Sequence, residues 1–164
     1  MLTTRRLALL ILASFAAMAL LDVRMRSTGG PGLLCFEFAG SRRAMADALA
    51  GWGTAGRSAA RLSQVIDFAF IAAYVGLLRR FVRQVGRGLS GRRLLEVMAV
   101  APVVAGCADV AQNVALLVAA GGAGGDAAPR LAFGCGVVTF ALVLAAYIYI
   151  FAGRVRARSM VRAR

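Results

Sequence analysis

The amino-acid sequence predicts an all-α protein: a four-helix transmembrane bundle with a short amphipathic interfacial helix between the first and second crossings. Three observations predict it. The 164 residues are 60% hydrophobic and only 16% charged, with a mean hydropathy of +0.76, whereas about a quarter of a soluble domain is charged. The apolar residues gather in four runs, each near the roughly 20 residues that a helix needs to cross a bilayer. The basic residues, 20 Arg and no Lys, cluster at the ends of those runs. The whole chain, 1–164, suits a single integral membrane domain.

The same composition excludes several classes. A net charge of +13 suggests nucleic acid, but the Arg residues flank apolar spans instead of forming one stripe interleaved with aromatics. Nucleic acid is therefore not the expected partner; membrane lipids with anionic headgroups are. The chain has no His, so neither a Ser-His-Asp triad nor a His-containing zinc site can form. Cys35, Cys107 and Cys135 make no CxxC pair, and two lie in apolar segments as small hydrophobes. The Gly121–Gly125 run lacks a following Lys-Ser or Lys-Thr and is a turn, not a phosphate cradle. No cofactor and no metal is expected.

The first span, 7–23, has Arg5 and Arg6 before it and Arg24 and Arg26 after it. Ala17-Met18-Ala19 has the form of a cleavage site, yet the apolar run continues to Val23, so a retained helix is expected over a cleaved signal. Asp22 ends this helix at the outer boundary, where water would solvate it. Residues 24–60 form an outside connector that opens on the Ser27–Gly32 turn cluster. Ser41 reads as an N-cap, followed by Met45, Leu49 and Trp52 at i, i+4 and i+7. That pattern predicts an amphipathic helix in the interface, with Trp52 at headgroup depth and Gly51, Gly53 and Gly56 ending it.

The second span, 61–78, leads into a link holding Arg79, Arg80, Arg83, Arg87, Arg92 and Arg93. The third, 94–120, contains Pro102, which should kink it or end a half-helix. The fourth, 131–151, precedes a basic tail, 152–164. Counting Arg by side puts 13 with the two termini and the second link, against 7 on the other side. The positive-inside bias therefore places both termini in the cytoplasm.

The informative residues are polar ones within the spans, because a carboxylate near the bilayer centre costs on the order of 2.5–3.5 kcal/mol on insertion scales. At 100° per residue, Ser63, Gln64, Asp67 and Tyr74 share one face of the second helix. Pro102, Gly106, Asp109, Gln112 and Asn113 share one face of the third. Ala132, Cys135, Gly136, Thr139 and Ala146 form a small-residue stripe on the fourth that permits close approach. With a rise of 1.5 Å per residue, Asp67 lies about 9 Å below Arg61 and Asp109 about 15 Å below the outer end of its helix. All these groups fall in the outer half of the membrane. Polar groups of this kind also serve simply as interhelical bonds of about 0.6 kcal/mol each. Arg61 is a candidate partner for Asp67, although it sits off the polar face and could equally snorkel to the surface.

Four short motifs stand out along the chain: Phe36-Glu37-Phe38-Ala39-Gly40, Trp52-Gly53 with Gly56-Arg57, Ile66-Asp67-Phe68-x-Phe70-Ile71-x-x-Tyr74 and Ala105-Gly106-x-x-Asp109-x-x-Gln112-Asn113. Together they resemble an uncharacterised family of small bacterial four-helix membrane proteins. The resemblance covers most of the chain and implies a bacterial cytoplasmic (inner) membrane. It brings no activity. Where the family pattern has Glu this chain has Gln112, whose amide cannot ionise.

The expected function is recognition of a small amphipathic or lipid-like ligand in a polar pocket between the second, third and fourth spans. Asp67 and Asp109 would orient a hydroxyl or amine; Gln64, Tyr74, Gln112, Asn113 and Thr139 would complete the site. Two alternatives use the same residues differently. One is a lipid-acting enzyme with the two Asp side chains as general acid and base. The other is an accessory subunit whose polar face meets a membrane-protein partner.

Overall fold

The computed structural model describes residues 2–86 and 92–162. Arg87, Gly88 and Gly91 of the basic link, and the end of the tail, lie outside them. The described residues are helical with no strand: α1 (Thr4–Ser27), α2 (Leu33–Glu37), α3 (Arg42–Gly86), α4 (Arg92–Ala120) and α5 (Ala127–Arg162). Three of these helices, α1, α4 and α5, are long and apolar enough to cross a membrane. Their outward side chains are large and apolar, among them Leu12, Phe15 and Leu20 on α1, Val97 and Val100 on α4, and Leu144, Ile148 and Phe151 on α5. Water would make that surface costly, and hydrocarbon removes the cost.

The helix ends follow local chemistry. Thr3 caps α1 by accepting a hydrogen bond from the Arg6 amide at 3.2 Å. Ser41 caps α3 as expected, accepting from the Ala44 amide at 3.2 Å. The helix it starts ends in the glycines as expected: at Gly53 the backbone leaves helical geometry, with φ 55° and ψ −159°, and a second helix runs on from that kink to Gly86, so α3 is two helical arms. Pro102, by contrast, does not end a half-helix, and α4 runs through it.

Trp52 is 1% exposed, so protein side chains surround its ring. Its ring packs on Phe36 at 4.8 Å between centroids, and its Nε1 donates to the Pro31 carbonyl at 2.7 Å. Met45 and Ala48 are buried beside it, together with Met25 of α1 and Leu116 of α4. The amphipathic face of the connector is thus covered by protein. A second apolar cluster holds Ile71, Leu78, Val82, Ala146 and Ile150 toward the other end of the bundle.

Helix α3 is the hub. It packs against α1, α4 and α5, and α4 packs along α5, but α1 and α5 make no comparable contact with each other. Close approach depends on missing side chains. A Cβ on Gly106 would meet Val75 Cγ2 at 2.5 Å, and one on Gly136 would meet Gln112 Nε2 at 2.8 Å. On α5, Ala132, Gly136, Thr139 and Ala146 are buried, and Thr139 Oγ1 donates to the Ala105 carbonyl of α4 at 3.2 Å.

Candidate functional site

The gap between α1 and α5 is a cleft of about 480 Å³. Helix α3 forms its floor, with Asp67, Phe70, Tyr74 and Leu78; Asp109 and Gln112 of α4 also reach it. Phe15, Met18 and Ala19 of α1 form one wall, and Thr139, Phe140, Val143 and Tyr147 of α5 the other. The end of the cleft beside α2 holds Asp22, Arg26, Leu33, Leu34 and Glu37. The mouth is flanked by large apolar side chains that face outward, Phe15 at 62% exposure and Phe140 at 58%.

The polar faces of α3 and α4 meet as the helical arithmetic predicts. Asn113 Nδ2 donates to Asp67 Oδ2 at 2.7 Å. Two turns deeper, the Tyr74 hydroxyl donates to Asp109 Oδ2 at 3.0 Å. These two cross-links run in register between antiparallel helices. Of the seven residues singled out in the sequence, Asp67, Tyr74, Asp109, Gln112 and Thr139 line the cleft. Gln64 and Asn113 do not: both are buried at 1% exposure behind it. Asn113 holds Asp67, and Gln64 Nε2 donates to Glu37 Oε1 at 3.4 Å. Arg61 does not pair with Asp67. It is exposed, and its guanidinium reaches the Ala120 carbonyl at 3.4 Å.

Two carboxylates were missed by sequence reasoning. Glu37 ends α2 and extends over the floor. Its burial, and next the Asp67 charge, push its carboxyl up to about 7, against the lowering effect of the Gln64 hydrogen bond. Asp22 is not simply solvated at a helix end. Its Oδ1 accepts from the Leu33 amide that begins α2, and its Oδ2 pairs with Arg26 Nε at 2.8 Å. The signal for both was weak, since α2 is five residues long and shows no periodicity. The pocket therefore has walls from α1 and a lid from α2, not only from α3, α4 and α5.

Among the described residues no group of three or more His, Cys, Asp or Glu side chains is arranged to hold a metal ion. The three cysteines are free thiols. No family model, no curated protein and no solved structure matches the chain.

Proposed function

We propose that this chain crosses a bacterial cytoplasmic membrane four times, with the 61–78 part of α3 as the second crossing beside α1, α4 and α5, and binds a small amphipathic or lipid-like ligand taken sideways from the bilayer. Both termini are cytoplasmic in this reading, and the arm of α3 before Gly53 lies at the outer interface. The observation that carries the reading is the shape and chemistry of the cleft. It opens laterally because α1 and α5 do not pack together, its walls are apolar and aromatic, and its floor and the end beside α2 carry carboxylates, an amide and hydroxyls. Ligand sites generally combine mostly apolar walls with a few placed polar groups in this way. Asp67 and Asp109 orient the ligand head, Tyr74, Gln112 and Thr139 add hydrogen bonds, and Gln64 and Asn113 act from behind by fixing carboxylates.

The accessory-subunit alternative requires polar faces turned out of the bundle, whereas those of α3 and α4 turn toward each other. The enzyme alternative shares the cleft. The fact in its favour is that both Asp side chains line it.

Filling the cleft tests the reading. Ala19 lines it from α1 and is exposed, so Ala19→Trp adds bulk there without touching a carboxylate. The full chain released from mild detergent in a native mass spectrum should carry an amphiphile adduct that Ala19→Trp loses. An adduct of equal occupancy on the variant would exclude the cleft as its site.

A further inference from the structure

The cleft has the opposite charge to the rest of the molecule. The chain carries 20 Arg against 7 acidic residues. Yet Asp22, Glu37, Asp67 and Asp109 line the cleft, and among the described residues Arg26 is the one arginine that does. Arg26 is already paired with Asp22. The other three carboxylates face neutral donors: Gln64 for Glu37, Asn113 for Asp67 and Tyr74 for Asp109. Each accepts on one oxygen, and among the described residues its second oxygen has no hydrogen bond.

We propose that the ligand head is cationic: the cleft selects a single-chain amphiphile bearing an ammonium group. This rests on the reading of the cleft as a ligand site and adds the sign of the charge. Partly buried carboxylates that meet no protein cation are stabilised by a cation that the ligand brings, and the interaction strengthens as water is displaced. Phe70, Tyr74 and Tyr147 line the same space, and aromatic rings attract an ammonium group. The apolar walls take the chain.

The same charges solve a problem of specificity. A cleft open to the bilayer is exposed to every lipid, and the flanking arginines attract the anionic ones. Carboxylates repel a phosphate or carboxylate head, so the commonest competitors are rejected by repulsion rather than by fit. Arginines at the helix ends and carboxylates in the cleft therefore act on different lipids.

The test uses the full chain in a neutral maltoside detergent and three dodecyl amphiphiles that differ only in the head: trimethylammonium, phosphate and glycerol ether. Dissociation constants from calorimetry should rank the ammonium at least about tenfold tighter than the phosphate. In Glu37→Gln/Asp109→Asn that ratio should shrink several-fold. A phosphate head that binds as tightly as the ammonium on the parent chain overturns the charge assignment, and needs no variant to do so. A ratio unchanged in the double variant also overturns it. In either case the cleft itself still stands if Ala19→Trp weakens all three amphiphiles together. If Ala19→Trp changes none of them, the cleft reading fails and this inference fails with it.

Discussion

Asp67 and Asn113 lie 46 positions apart in the chain and 2.7 Å apart in space. Side-chain arithmetic on two isolated helices was enough to suggest their meeting, because each polar residue in a span has few places to go except the bundle interior. The same logic found Tyr74 and Asp109. It could not find Glu37, whose contact with Gln64 depends on how a short, aperiodic helix folds back over the bundle. Glu37 now supports a prediction of its own. Its folded carboxyl titrates near 7 instead of the usual 4.5. The folded state therefore holds a proton that the unfolded state releases earlier. Its contribution to stability is present in full below about pH 4.5, declines as pH rises toward 7, and levels off above that. Thermal unfolding in detergent should show the parent losing ~3 kcal/mol across that window relative to Glu37→Gln. A parent that gains stability relative to the variant as pH rises would show the carboxylate to be held in its charged form.

At the scale of elements, the sequence marks where helices occur better than where they stop. The spans at 94–120 and 131–151 fall within α4 and α5, and Ser41 caps α3. The glycines after Trp52 divide α3 into two arms, because Gly53, with φ 55° and ψ −159°, leaves helical geometry and helix resumes directly after it. Trp52 shows a limit of a different kind. Met45, Leu49 and Trp52 form an apolar stripe, and a stripe reads the same whether lipid or protein covers it. Here Phe36 and the turn at Pro31 cover it. Glycines on the long helices divide into two kinds. A Cβ at Gly106 collides with Val75 on α3, while one at Gly134 meets nothing within 4 Å. Gly106→Val should push α3 and α4 apart and cost about 1–3 kcal/mol by overpacking. Gly134→Ala should be neutral or stabilising by up to about 1 kcal/mol. Unfolding of both in the same mixed micelles checks the pair. Equal losses would show that α4 does not lie against α3 at Gly106.

For the whole molecule, the arginine asymmetry of 13 against 7 predicts that the connector faces outward. Ser41 is exposed at the start of α3. With Cys35, Cys107 and Cys135 replaced by Ala, Ser41→Cys should react with a membrane-impermeant maleimide in intact cells. Reaction only after lysis would invert the orientation. The arrangement of the helices was only partly legible in the sequence. Small residues on α5 indicate that something packs closely, but no pattern in α1 announces that it will lean on α3 and leave α5 uncovered. That gap has a consequence for measurement. A ligand that enters through the side of the bundle reaches its site from hydrocarbon, so the concentration that sets occupancy is its mole fraction in the bilayer or micelle. An apparent affinity expressed per litre of buffer will drift as lipid or detergent is added at constant protein and ligand, because the solvent that delivers the ligand also dilutes it. Affinities expressed per mole of lipid should collapse onto one value across those preparations, whereas a site fed from water would instead give one value per litre.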